Sequence, residues 1–377
     1  MKVRDLQHEM LPDTSVEARS RQEAVVALRR LLNTRVRPHN VAAFECEALP
    51  AFVTANGRAP QSPDDVRDAF LMSPSYRRWS AANRAAQEMI WVSVGEPIYR
   101  DLDRMRTAAR SLMDAPDRKG SLSLDPAYDP SPEVADTDIH LQPGGYALDQ
   151  GEDDVAAGAL YECGGNVFSF GQGIGRGDSK AGVVLRLLDE HFEGFRPHRI
   201  LDIGCSAGAA SAAYAAHDPE AEVHAVDIGA GMLRYAHARA ESLGVAVHFH
   251  QMDAAAMTFA DESFDLVVSH NLMHEIGQDK RRAMIREARR LVRPGGIVIH
   301  QDVAIRNQPT LVHQVERDWD THFNGEVHWS TYATADLRAD MIAAGFAPDE
   351  VVEHDLAALQ GFANNRWYAI SARKPAA

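Results

Sequence analysis

Arg199-Ile200-Leu201-Asp202-Ile203-Gly204-Cys205-Ser206-Ala207-Gly208 runs from an apolar strand into a glycine turn, and an alanine-rich helix follows. Glycines at such a turn let a ligand approach the backbone, and the first N–H groups of the helix are unpaired donors. Any strand–helix unit can carry such a turn, so the detail matters. A dinucleotide fingerprint G-x-G-x-x-G would place glycine where Ser206 and Ala209 stand, which argues against NAD.

Outward from this turn the pattern repeats, with short apolar runs near 199–203, 222–227, 247–251, 264–270, 296–302, 351–355 and 366–373. Helical patterns fill the gaps at about 181–192, 207–216, 230–243, 279–292 and 334–344. Gly244 and Gly345 stand where helices end, and Pro294-Gly295-Gly296 turns into the fifth strand. This alternation is the signature of an open, mostly parallel α/β sheet.

Several strand ends carry chemistry. Val223-His224-Ala225-Val226-Asp227 finishes with an acid placed to accept from ribose hydroxyls, with Ile228 next to it. Gln251-Met252-Asp253-Ala254 ends the third strand, where Asp253 either accepts from the exocyclic amine of an adenine or simply caps a turn. Together LDIGCSAGAAS, AVDIGAGML, QMDAAAM, FDLVVSHNLMHEI and RLVRPGGIVI resemble, in order and spacing, the motifs of class I S-adenosylmethionine (SAM)-dependent methyltransferases. The resemblance spans about 181–375 and implies a Rossmann-like seven-stranded sheet whose last strand is antiparallel. It also implies that Asp202, Gly204, Cys205 and Gly208 surround the methionine portion of SAM, Asp227 and Ile228 the ribose, and Met252 with Asp253 the adenine, with His270 on the same rim. Ser206-Ala207 departs from the family, which often has further glycine there.

Methyl transfer from a sulfonium is an in-line displacement, and a hydroxyl acceptor needs its proton removed. His274, in His270-Asn271-Leu272-Met273-His274-Glu275, is the preferred base. It is similar to the histidine of small-molecule O-methyltransferases that is followed by an acid and precedes the next helix. His270 is a further candidate, and His300 with Gln301 and Asp302 ends the fifth strand on the same rim. The stretch 304–333 is long for a strand–helix connection, and its Trp319 and Trp329 either recognise substrate or pin the loop to the sheet.

The first hundred residues read as helices. Thr14 and Glu17 are spaced as a capping box, Ser62-Pro63 opens a further helix, and Gly95 with Pro97 interrupts the helix that begins near Ala81. Residues 114–136 read as a linker, and the run NVFSFGQGIGRGDSK fails the Walker A spacing and reads as a lid or connection. The expected units are therefore a helical cap or dimerisation domain over 1–135, a glycine-rich connection over 136–180 and a SAM-binding domain over 181–377.

Totals narrow the partners. A formal net charge of −15 opposes a phosphate backbone, so nucleic acid is not expected. No apolar run reaches the roughly 20 residues of a membrane helix, and the first residues lack a secretory signal, so a cytoplasmic protein acting on a small molecule is expected. Cys46, Cys163 and Cys205 are too few and too scattered for a disulfide framework, and the 17 histidines lack metal-site spacing, so no metal is expected. An inactive SAM-binding scaffold is the alternative to an enzyme, and nitrogen, sulfur and carbon remain open as methyl acceptors.

Overall fold

Seven apolar runs pair in the structure, a computed structural model that describes residues 8–170, 179–306, 308–357 and 366–376. They are β2 (Arg199–Ile203), β3 (Glu222–Asp227), β4 (His248–Gln251), β5 (Phe264–His270), β6 (Val292–Val303), β7 (Val352–Ala357) and β8 (Arg366–Arg373). An eighth strand, β1 (Ser121–Ser123), joins them in the order β1-β4-β3-β2-β5-β6-β8-β7. All neighbours are parallel except β8, which is antiparallel to both β6 and β7.

The sheet thus has eight strands where seven were expected. The extra one lies inside the stretch read as a linker, because Ser121-Leu122-Ser123 is too short for a periodic signal. It forms on the exposed edge of β4, in register Ser121 with His248 and Ser123 with His250. The Glu241 carboxylate accepts from the N–H groups of Lys119 and Gly120 and so leads the chain onto that edge.

Alternation along the strands feeds two apolar layers. Ile200, Val223, Phe249, Leu266, Val268, Ile297 and Ile299 pack on one face, and Leu201, Ile203, Val226, Val267, Val298 and Ile370 on the other. Strand order reverses between β3-β2 and β5-β6, so the carboxyl ends of β2 and β5 open a crevice between them.

The helical region departs from expectation in two instructive ways. Ser15, not Thr14, caps the first helix (Val16–Leu31), its hydroxyl accepting from the Ala18 N–H. The helix Pro74–Met113 runs unbroken through Gly95 and Pro97. A proline removes one helical donor and leaves the carbonyl four residues earlier unpaired. Here Gln22 Nε2 supplies the missing donor to the Ser93 carbonyl at 3.1 Å, and Gly95 lies against Leu160 with room to spare. Ser62 caps the helix Pro63–Met72 as read.

Part of the glycine-rich connection is a packed helix, Ala156–Phe168, while residues 171–178 of the expected lid lie outside the described residues. Its small residues allow close approach. Ile90, Trp91 and Val94 of the long helix share one apolar cluster with Ala156, Ala159 and Leu160, and with Met232, Tyr235 and Ala238 of the helix Ala230–Ser242. A Cβ on Gly158 would lie 2.3 Å from the Tyr235 Cβ. Gly158→Ala is therefore expected to destabilise the protein by about 1–3 kcal/mol through overpacking, read as a lower urea midpoint, despite alanine's better helix propensity.

Glu162 fastens the same junction. Its carboxylate lies 3.0 Å from Arg239 Nε and 3.1 Å from His8 Nε2, and accepts from the Tyr235 hydroxyl at 2.6 Å. Burial alone would raise its pKa, but Arg239, His8 and Tyr235 outweigh that and hold it at about 2. A carboxyl depressed on folding stabilises above its ordinary value near 4.5 and loses that contribution as pH falls toward 2. The stability gap between wild type and Glu162→Gln is expected to shrink by about 3 kcal/mol between about pH 6 and pH 2, measured by urea titration at each pH.

Candidate active site

The turn after β2 owes its shape to three left-handed residues, Gly204 (φ 71°), Ser206 (φ 46°) and Gly208 (φ 73°). A Cβ on Gly208 would sit about 3.0 Å from both Ala236 and Phe249, so glycine is also needed for the close approach of helix and sheet. Backbone N–H groups of Gly204 and Cys205 bond to the Val226 carbonyl, which ties the turn to the end of β3.

Asp227 completes this tie. Its Oδ2 accepts from the Ser206 N–H at 2.8 Å and its Oδ1 from the Gly229 N–H at 3.0 Å. Burial raises its pKa, and the N–H donors of Gly229, Ser206 and Ile228 pull against that. Asp202 is fully buried beneath the turn, its Oδ2 accepting from the Ser211 hydroxyl at 2.6 Å, so it braces the following helix. Cys205 is buried too, and burial beside Asp227 and Asp202 lifts its thiol well above the ordinary range. It is no nucleophile.

The next strand ends close by. Met252 N–H bonds to the Asp227 carbonyl, and Gln251 Nε2 donates to the Ile228 carbonyl. Asp253 accepts from the Ala255 N–H at 2.9 Å and pairs with Lys280 at 2.9 Å, which is the turn-capping arrangement.

The three histidines separate sharply. His270 is engaged at both ring nitrogens, Nε2 with the Tyr214 hydroxyl at 2.9 Å and Nδ1 with Gln301 Oε1 at 3.0 Å. His300 is fully buried, its Nδ1 bonded to the Ser269 hydroxyl, and burial followed by the nearby His270 lowers its pKa to about 4. His270 therefore has both nitrogens engaged, whereas His300 Nε2 has no hydrogen-bond partner among the described residues but lies fully buried in the sheet. Alternation along β5 and β6 sets His270 with Gln301 on one face and His300 with Asp302 on the other.

His274 is different. Asn271, in a left-handed conformation (φ 52°), starts the turn that brings the His274 ring back over the end of β6. Asp302 Oδ1 lies 2.5 Å from His274 Nδ1, and Asp302 Oδ2 accepts from the Met273 N–H at 2.8 Å. Nε2 points away from the sheet, 3.3 Å from Glu275 Oε1 and 3.9 Å from Glu326 Oε2. Burial would lower this imidazole's pKa, but Asp302 and Glu275 hold it well above its ordinary value. Trp329 stands edge-on to the ring with centroids 5.2 Å apart.

His140 closes the group from the opposite side. Its Nε2 is 3.3 Å from Glu275 and its Nδ1 2.8 Å from Glu326. The Tyr146 hydroxyl donates to Glu275 at 2.9 Å. Burial is again outweighed, here by Glu326 and Glu275, and the His140 pKa rises to about 10.

Residues 200–296 match a family model described as a methyltransferase domain. The matched segment runs from β2 through β5 into β6, within the α/β unit. Over 164 residues the chain is 33% identical to a malonyl-[acyl-carrier protein] O-methyltransferase of Pseudescherichia vulneris, covering 44% of this chain and 59% of that protein. It is 29% identical, also over 164 residues, to a ubiquinone biosynthesis O-methyltransferase of Cereibacter sphaeroides, covering 42% and 62%. The chain thus spans about three-fifths of the length of these two relatives. Among solved structures, a putative methyltransferase from Bacillus halodurans aligns with 18% identity and a TM-score of 0.42, over 52% of this chain and all of the other.

Sequence reasoning named residues at the carboxyl ends of the strands but not His140 and Glu326, which the structure places beside His274. Both lie outside the matched segment, in stretches without periodicity, and nothing local marks them. The insertion after β6 is also more ordered than a loop, with short helices Leu311–Arg317, Trp319–Phe323 and Trp329–Ala333. Trp319 is buried and donates to the Ser80 hydroxyl at 2.8 Å, which fastens the insertion to the long helix; Trp329 both donates to the Arg317 carbonyl and faces His274. No helix among the described residues is long and apolar enough to cross a membrane.

Proposed function

We propose that the protein transfers the methyl group of SAM to a hydroxyl oxygen of a small molecule by in-line displacement. The observation that carries this reading is the joint placement, at one sheet crevice, of a left-handed glycine turn tied to Asp227 and of the buried His274–Asp302 pair across from it. SAM would lie over the ends of β2, β3 and β4. Gly204 and Gly208 give the turn the left-handed shape that would present its backbone to the methionine portion, with Asp202 and Cys205 supporting the turn from below. Asp227 and Ile228 would meet the ribose, and Met252 and Asp253 the adenine. For this, Asp227 would exchange a turn N–H for ribose hydroxyls, and Asp253 would exchange its contact with Lys280 for the adenine amine.

His274 is the residue proposed to handle the acceptor's proton: Asp302 fixes its Nδ1, and Nε2, 3.3 Å from Glu275 Oε1, would pass its proton to Glu275 before accepting that of the hydroxyl. His270 and His300 act by positioning, being held within the sheet. The relatives' names support an oxygen acceptor. The connection over 136–180 would cover the acceptor, because His140 and Tyr146 reach the rim from it.

Calorimetry with SAM and with NAD tests the cofactor: SAM is expected to bind in the micromolar range and NAD not at all, and the absence of SAM binding would overturn the reading. Incubating the protein with a metabolite extract and deuterated SAM, followed by mass spectrometry, identifies the acceptor. A labelled product carrying the methyl on nitrogen, sulfur or carbon would overturn the oxygen assignment.

A further inference from the structure

His140, His274, Glu275 and Glu326 come from three separate segments, yet the ligand atoms they offer all lie within 4.8 Å of one another. His274 and Glu326 are buried, and Glu326 accepts no well-directed hydrogen bond at either carboxylate oxygen among the described residues, although His140 Nδ1 is close. Two buried or half-buried carboxylates packed against each other need positive charge between them, which either protonated imidazoles or a bound cation that displaces those protons can supply. We propose that these four residues bind a divalent first-row transition-metal ion, Zn2+ being the best match, with Asp302 holding the His274 ring in the ligating tautomer.

The spacing suits such an ion. Ligands about 2.1 Å from a tetrahedral Zn2+ are separated by about 3.4 Å. The separations of His274 Nε2 from Glu275 (3.3 Å) and Glu326 (3.9 Å), and of His140 Nε2 from Glu275 (3.3 Å), bracket that edge. Two imidazoles with two carboxylates favour a transition ion over Mg2+, which prefers oxygen and water. Asp302 on Nδ1 reproduces the carboxylate–histidine–metal relation that fixes ring orientation in metal sites.

The backbone at His140 adds an independent mark. His140 and Leu141 both have positive φ, 55° and 59°, an expensive conformation for such residues in succession. Two donors hold it there, as Trp91 Nε1 and Gln87 Nε2 bond to the His140 carbonyl at 2.7 and 2.8 Å. The chain accepts strain to present this one ring. Without the ion, His140 sits between the two glutamates with one nitrogen toward each, the place a cation would take over.

This inference rests on the proposed function only for where the acceptor lies, and its test needs no SAM. The full-length protein is stripped with EDTA, offered Zn2+, Mn2+, Fe2+ under anaerobic conditions or Mg2+ in turn, desalted, and assayed by elemental analysis and titration calorimetry. One Zn2+ per chain is expected to be retained, with no Mg2+. Glu326→Gln and His140→Ala are each expected to weaken Zn2+ binding at least tenfold, and Asp302→Asn by about 10- to 100-fold. Circular dichroism confirms folding of each variant, and the visible bands of Co2+ report the same ligands. Asp227→Ala should bind Zn2+ as wild type does. Retention of less than about a tenth of an ion per folded chain, or equal Zn2+ affinity in wild type and in folded Glu326→Gln and His140→Ala, would refute the site. Loss of SAM binding with Zn2+ binding intact would instead count against the proposed function.

Discussion

Replacing His274 by alanine is expected to slow methyl transfer by about 100- to 10,000-fold while the Kd for SAM stays within about twofold of wild type. The range is that of a group acting on a proton in flight, and His274 is buried against Asp302, with Nε2 directed away from the sheet and from the turn after β2. Loss follows whether His274 takes the proton itself or holds an ion that acidifies the hydroxyl, and the metal titration separates the two. His270→Ala is the control, because both nitrogens of that ring are engaged within the sheet. Equal loss of SAM affinity in His274→Ala would remove His274 from the acceptor side.

Asp227→Ala is expected to act in the opposite sense, weakening SAM by about 100-fold, or about 2.7 kcal/mol. Its two oxygens anchor the Ser206 and Gly229 N–H groups, so the substitution removes the proposed ribose acceptor and also loosens the turn proposed to hold the cofactor. The protein itself should lose about 1–3 kcal/mol of stability as those buried donors lose their partner. Calorimetry with SAM and a urea titration read the two effects separately. A SAM affinity unchanged by Asp227→Ala would place the cofactor elsewhere.

The sheet was legible where the chain obeys a period. Five runs of alternating or continuous apolar residues between 199 and 303, together with 351–355 and 366–373, correspond to strands in the structure, because each buries one or both faces and the burial writes itself into the pattern. What escaped is informative. Three residues of β1 pair through the backbone and need no particular side chains. Pro97 misled because its effect is cancelled by Gln22, a residue of another helix. Asp227, Asp253 and His274 could be named because they follow strands, whereas His140 and Glu326 reach the site by tertiary packing alone, which no local pattern encodes.

The apolar cluster that Trp91, Leu160 and Tyr235 share has a consequence for how the molecule melts. Helices that precede the α/β unit supply much of the cover for its helix Ala230–Ser242, so neither part retains a finished interior once the other opens. Calorimetric unfolding should accordingly proceed as a single cooperative transition, with the enthalpy of the whole chain and not of two modules coming apart in turn.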